Sequence, residues 1–277
     1  MFETTHAGVN LGEAPSYLVA GHTTRDLVEN GWRIGGSVAY AVLVSRHLGL
    51  EAFVVSSCGS DVGAPSLYHT VNASIQGSQE TTTFRNLETE GRRTQEILAV
   101  ADPLTTLTVP AGWKNPNILH LAPVFQELDE TFVRWFSPRL CGATLQGWLR
   151  AADDAGRVKF GLHRDLERIV QCLDIAIFSW HDLITDIKLR ESLFRMVPVC
   201  VETHGAGGCV VAEKGRERAV TSQPLAIEDS TGAGDVFATA FLARYFESGD
   251  PMEAARFANE FAAGMLLDPD FRKDLSV

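Results

Sequence analysis

Short apolar runs rich in β-branched residues alternate along this chain with stretches of helical periodicity, and that alternation limits the available folds more than any other feature. Residues 17–21 read as a first strand, 37–48 as a helix stopped by Gly49, and 52–57 as a second strand. Further strands are expected over 118–121, 143–145, 174–178, 198–202 and 209–212. Helices are expected near 62–74, 127–138, 165–172, 182–195, 236–247 and 251–267. The last of these has a strong start: Asp250 as cap, Pro251 in the first turn and Glu253 three residues after the cap. Strand and helix alternating in this way predict an α/β fold with a mostly parallel sheet covered on both faces.

One segment breaks the pattern. Residues 76–108 are polar and Thr-rich, with Glu90-Gly91 as a turn candidate, and read as a hairpin projecting from the main sheet. It is either a lid over a site or a surface ornament. No repeat or Pro-rich linker divides the chain, so residues 1–277 are expected to form one domain carrying that small lid.

Charge narrows the partners. The formal net charge is −11, which removes the electrostatic support a nucleic-acid partner needs. Phosphate ligands stay open, because backbone amides bind anions without any Lys or Arg. The five cysteines show no CxxC spacing and the histidines no HExxH, so free thiols in a reducing cytoplasm are expected and a structural zinc is not. The N-terminal residues lack the basic and apolar regions of a signal peptide, and no apolar run approaches a membrane span.

The most informative stretch is Asp229-Ser-Thr-Gly-Ala-Gly-Asp235, followed at once by the apolar run Val236-Phe-Ala-Thr-Ala-Phe-Leu-Ala. A glycine-rich turn feeding a helix presents unpaired N–H groups at the positive end of the helix dipole. Gly232 and Gly234 allow the tight backbone and the close approach of an anion. A carboxylate there has two readings. Asp235 is a first-turn residue favoured by about 0.3–1 kcal/mol, or it is a general base beside an anion hole, taking the proton of an attacking hydroxyl.

The motif resembles the D-[TP]-T-G-A-G-D pattern of the ribokinase-like (PfkB) family of carbohydrate kinases, with Ser230 at the variable position. The resemblance implies a three-layer αβα fold with a reduced β lid, and ATP- and magnesium-dependent phosphorylation of a hydroxyl on a sugar, polyol or nucleoside. It implies Asp235 as the catalytic base, and the amides of Gly232, Ala233, Gly234 and Asp235 as the anion hole. Gly35-Gly36 resembles the family's substrate-lining GG motif, and Asp26 its substrate-binding carboxylate, with a solvated turn as the plainer reading. Gly59, Asp61 and Gly63 resemble a turn motif after the second strand. Residues 201–211 resemble the strand-turn-strand beside ATP, which would place Thr203, Gly205 and Gly208 near the phosphates; a simple hairpin is the plainer reading. Asp182 stands where the family has a magnesium-linked Glu, yet it suits a helix cap equally. Asn259 would border the adenine. A monovalent cation is a further option within the family.

Two departures bear on the substrate. Tyr40 replaces the Asn that often follows GG, and the short link from Asp26 to Gly35 implies that the usual lid strand there is cut down. Together with Leu145-Gln-Gly-Trp-Leu-Arg150, these features look similar to the inositol-kinase-like branch, which points to myo-inositol or a related polyol as acceptor in a monomer or homodimer. The alternatives are a nucleoside kinase of the same family and a non-catalytic ligand sensor. A nicotinamide enzyme lacks its G-x-G-x-x-G after the first strand, and no GK[ST] marks a P-loop.

Overall fold

The computed structural model describes residues 5–7, 14–29, 31–63, 65–89, 92–222 and 229–276. In chain order the first strands are β1 (Thr5–Ala7), β2 (Tyr17–Ala20), β3 (Thr24–Val28), β4 (Gly31–Gly35), β5 (Ala52–Gly59), β6 (Asn72–Ser78), β7 (Thr82–Thr89) and β8 (Arg92–Ala99). They are followed by β9 (Ile118–Leu121), β10 (Leu140–Thr144), β11 (Arg150–Ala152), β12 (Val158–Phe160), β13 (Ile175–Ser179), β14 (Val199–Thr203), β15 (Cys209–Glu213) and β16 (Arg216–Val220). The helices are α1 (Ser37–His47), α2 (Glu130–Trp135), α3 (Leu166–Val170), α4 (Ile187–Met196), α5 (Ala233–Ser248) and α6 (Pro251–Leu267).

Ten strands form the main sheet in the order β1-β6-β5-β2-β9-β10-β13-β14-β15-β16. Every pairing from β6 through β14 is parallel, and the two edges are antiparallel. The parallel strands are apolar on both sides because both faces are covered. On β2, Tyr17 and Val19 join the core beneath α1, α5 and α6, while Leu18 and Ala20 join the core beneath α2, α3 and α4. Strands β5 and β13 divide in the same way: Ala52, Val54, Ile175 and Ile177 on one side, Phe53, Val55, Ala176 and Phe178 on the other. This is the expected three-layer αβα architecture. Helix α5 lies directly on β10, where a Cβ at Gly142 would strike the Leu242 side chain.

Strand order reverses between β2 and β9. The chain leaves β2 for β5 and β6 on one side, then returns to β9 on the other. A crevice opens outside the carboxyl ends at such a point.

Several expectations change. The helix expected over 62–74 is a short 3-10 turn, Ser66–Thr70, running into β6 of the main sheet. The helix expected at 182–195 is divided: a 3-10 turn over Trp180–Leu183, then α4, capped by Asp186 rather than Asp182. The hairpin β7-β8 does lie within 76–108, and its turn at Glu90-Gly91 falls outside the described residues. The lid strand expected to be cut down between Asp26 and Gly35 is instead a hairpin of two five-residue strands, β3 and β4. With β7 and β8 it forms a four-stranded sheet in the order β4-β3-β7-β8. The short link hid this because two strands and a tight turn fit into twelve residues, 24–35.

The lid is tied to the main sheet by buried polar groups. His22, just past β2, shares a 2.8 Å hydrogen bond with Thr82 Oγ1 through Nδ1 and a 3.0 Å bond with the Asp102 carbonyl through Nε2. The buried Glu127 carboxylate accepts the amides of His22, Val124 and Phe125 at 2.9, 2.8 and 2.7 Å. These bonds replace the water those groups lose on burial.

Candidate active site

Asp229, Ser230, Thr231 and Gly232 lead into α5, and Gly232 is left-handed at φ +82°. A Cβ at Gly232 would collide with the Tyr40 ring, so two independent constraints require glycine there. Tyr40, expected to line the substrate site, packs its ring against this loop, close enough for Asp235 and Asp26 to act on its hydroxyl. It is 2% exposed and packs against Gly232 and, at 6.4 Å between centroids, against Phe271.

The expected four-amide hole is narrowed. The Ala233 N–H already donates to Ser230 O at 3.0 Å, and the Val236 N–H to Gly232 O at 2.9 Å. Among the described residues no protein acceptor takes the N–H of Gly232, Gly234 or Asp235. Unpaired first-turn amides of this kind, at the positive end of a sixteen-residue helix, hold an anion.

Asp235, on the first turn of α5, is half-buried. That burial pushes its pKa up to about 6; a Ser37 hydroxyl hydrogen bond and the Arg150 charge pull it down, and Asp26 pushes it up again. Ser37 opens α1 directly after Gly35-Gly36, so the GG turn delivers a hydroxyl to this carboxylate. Beneath the first turn, Thr239 Oγ1 donates to Asp235 O at 3.0 Å and accepts from Tyr17 Oη at 3.3 Å. Tyr17 Oη in turn shares a 2.6 Å bond with His120 Nδ1. Burial drops the His120 pKa to about 3, so the ring is neutral.

Asp26 lies on β3 of the lid sheet, not in a turn. It accepts from Thr24 Oγ1 at 2.8 Å, and its carboxylate presses on Gly35, where a Cβ would displace it. Gly36 has φ +87° and sits on the His22 carbonyl. Asp26, Gly35, Gly36 and Asp235 are therefore brought together at one end of the sheet.

Arg150 is the residue that motif reading left without a role. Burial pulls its pKa down, while the charges of Asp182, Asp235, Asp26 and Glu127 raise it. Its guanidinium carbon is 5.8 Å from the centroid of Phe84, on lid strand β7. One cation thus stands among the cleft carboxylates, where a phosphate would also find it. Its position in β11 follows from the fold, and its only sequence signal was the Leu145–Arg150 stretch as a whole.

The remaining expected residues lie along the same carboxyl edge of the parallel sheet, at the ends of β13 and β14. Asp182 stands at the third position of a capping box, accepting from Ser179 N at 2.9 Å, and burial raises its pKa. Thr203 ends β14 and its hydroxyl reaches back to Phe178 O at 3.4 Å. Gly205, at φ +56°, and Gly208, at φ +94°, make the turn into β15. A Cβ at Gly208 would meet the Val220 backbone, so the turn alone explains that glycine. Asn259 approaches this turn from α6, with Nδ2 3.8 Å from Cys209 Sγ. Near it His204 stacks on Trp180 and contacts Glu202 at 3.0 Å, contacts that no motif announced. A cavity of about 380 Å³ near Pro103, Gln126 and His163 contains none of the motif residues.

The model of the pfkB family carbohydrate kinases matches residues 174–274, which include both the β14–β15 turn and the α5 loop. The match covers the C-terminal part of the chain, and the whole chain has the ribokinase-like fold. A pyrophosphate-dependent kinase of the ribokinase family, solved with a pyrophosphate analogue and myo-inositol, is 21% identical with a TM-score of 0.76, covering 94% of this chain and 98% of its own. A Vibrio cholerae O395 fructokinase, solved with fructose, ADP and potassium, is 16% identical with a TM-score of 0.70, covering 96% of both chains. The Methanocaldococcus jannaschii nucleoside kinase is 14% identical with a TM-score of 0.67, again covering 96% of both. In this chain the small second sheet is β4-β3-β7-β8, and the glycine-rich motif is the turn into α5.

Proposed function

We propose that this protein is a kinase that transfers a terminal phosphoryl group to a hydroxyl of a small sugar or polyol, with a myo-inositol-like ring as the leading acceptor and ATP as donor. The reading is carried by one observation: a carboxylate poised near pH 6, Asp235, shares its helix turn with unpaired amides. An acceptor between Asp26, Gly35-Gly36 and Asp235 presents its hydroxyl to Asp235, which takes the proton as the oxygen attacks. The amides of Gly232, Gly234 and Asp235 hold the negative charge that spreads over the phosphoryl oxygens. Arg150 adds a positive charge from the lid side. Thr203, Gly205, Gly208 and Asn259 would receive the donor, a reading supported by their shared position around the β14–β15 turn.

Magnesium fits as an ion held mainly through phosphate oxygens and water. Among the described residues no group of three His, Cys, Asp or Glu forms a protein cage, and Asp182 offers one carboxylate. When bound, the ion would neutralise charge between the phosphates.

Pyrophosphate is the second donor reading, because a structural neighbour with the same overall fold uses it. The test crosses ATP and pyrophosphate with a panel of polyols, hexoses and nucleosides, following phosphorylated product directly. Product from a polyol supports the proposal, and product confined to nucleosides replaces the acceptor class. Ligand-induced thermal shifts with no product would make the protein a sensor. In the active pairing, Asp235→Asn is expected to lose on the order of 10²–10⁴ in kcat, the usual worth of a general base.

A further inference from the structure

We propose that Arg272 is a tethered cation: its guanidinium fills the oxygen cage beside the α5 loop, sets the Gly232 amide, and leaves no place for a free monovalent ion. The proposal rests on the kinase reading for its kinetic readout but not for its geometry.

One nitrogen, Nη2 of Arg272, donates to two backbone carbonyls, Asp229 O and Thr231 O, each at 2.8 Å. Nη1 of the same group is 3.5 Å from Asp229 Oδ2, which also lies 3.4 Å from Arg33 Nη1. The other carboxylate oxygen, Oδ1, accepts the Thr231 N–H at 2.8 Å. Two carbonyls and a carboxylate converging on one positive charge form the ligand set of a hard cation. Potassium is present in the fructokinase neighbour. In this chain the set is already taken by a side chain.

The consequence for the site follows from peptide geometry. In a planar trans peptide the C=O and the next N–H point in opposite directions. Drawing the Thr231 carbonyl towards Arg272 turns the Gly232 N–H the other way, and that amide has no protein acceptor among the described residues. Arg272 is thus a positioning residue, acting on the anion site from outside it.

Its own position is prepaid. Phe271 before it is 3% exposed and packs on Tyr40 and His47; Leu275 after it is 1% exposed. Asp274 pairs with Arg46 at 2.7 Å, and Ser276 bridges Arg33 of β4. The segment is clamped on both sides of the guanidinium, so its backbone is already ordered and only the side chain's own rotamer freedom is lost in holding it there.

The test compares wild type, Arg272→Met and Arg272→Lys in potassium, sodium and tetramethylammonium chloride at equal ionic strength, reading kcat, acceptor KM and melting temperature. Wild type is expected to show the same kcat and the same melting temperature in all three salts. Arg272→Met is expected to lose about 10²-fold in kcat, comparable to removal of one oxyanion donor, with acceptor KM nearly unchanged and partial recovery in potassium. Arg272→Lys, which keeps the charge and secures folding, falls between them. A wild-type enzyme at least tenfold more active in potassium, or several degrees more stable in it, overturns the proposal, as does an Arg272→Met or Arg272→Lys variant with wild-type kcat. No turnover by wild type in any salt, with either donor, would instead sink the kinase reading. The melting temperatures then decide the tether alone: salt-independent wild type with potassium-responsive Arg272→Met upholds it, and potassium-responsive wild type removes it.

Discussion

At the scale of single residues, function and stability pull in opposite directions at Asp235. Its pKa is raised from 3.8 to about 6, so the folded state disfavours the ionised form. The linkage sign follows for this one group: it costs the fold nothing below pH 3.8, its penalty grows as pH climbs to about 6, and it stays constant at no more than about 3 kcal/mol above that. Asp235→Asn is therefore expected to melt several degrees higher than wild type at pH 8, with the gap closing below pH 4, while kcat collapses; calorimetry across pH measures this. Catalysis needs the opposite charge state, so kcat/KM is expected to fall as pH drops through about 6. Gly232→Ala makes a different test. A left-handed alanine costs roughly 1–2 kcal/mol before its methyl meets Tyr40, so both denaturant midpoint and kcat should drop. The need for glycine at 232 and the first-turn place of Asp235 were legible because local chemistry alone explains them. The packing of the Tyr40 ring on Gly232 was not legible, because a substitution in a motif shows which group changed, not which way its ring faces.

At the scale of elements, the lid depends on a few buried hydrogen bonds rather than a large core of its own. Thr82 Oγ1 is shared by His22 Nδ1 at 2.8 Å and Ala101 N at 2.9 Å. Thr82→Val is nearly isosteric and leaves both groups without that partner. The expected loss is about 1–3 kcal/mol for each stranded group, read as a lower urea midpoint, with a raised acceptor KM because Asp26 rides on the strand beside β7. Strands of the main sheet were legible from short apolar runs, and α6 matched its expected bounds of 251–267 because Asp250 accepts Met252 N at 2.8 Å and Pro251 follows it. The region 62–74 was not, since its apolar spacing serves a 3-10 turn and a strand as readily as a helix. Strands β3 and β4 were missed because Asp26 was read as a site or turn residue and their half-exposed faces give no continuous apolar run.

At the scale of the whole molecule, the two cores bury most of the reactive sulfur. Five free cysteines are present, with Cys58, Cys141, Cys200 and Cys209 buried and Cys172 partly exposed. Burial pushes the Cys58 and Cys200 thiols up to about 12 and Cys209 up to about 11. A thiol reagent at pH 8 is expected to modify Cys172 quickly and the rest only on unfolding; rapid reaction of all five in the native protein would contradict these cores. By itself the sequence determined the layered α/β fold, because strand and helix periodicities are local properties of neighbouring residues. It determined the α5 loop too, because a turn, a helix start and a carboxylate are contiguous there. Only the tertiary structure decided which distant residues complete the site. Arg150, Arg272 and Ser37 come from separate elements, and their chemistry exists only where the sheet's strand order and the small sheet bring them together. No pattern along one chain encodes that meeting, because packing across the sheet, not spacing in sequence, sets those distances.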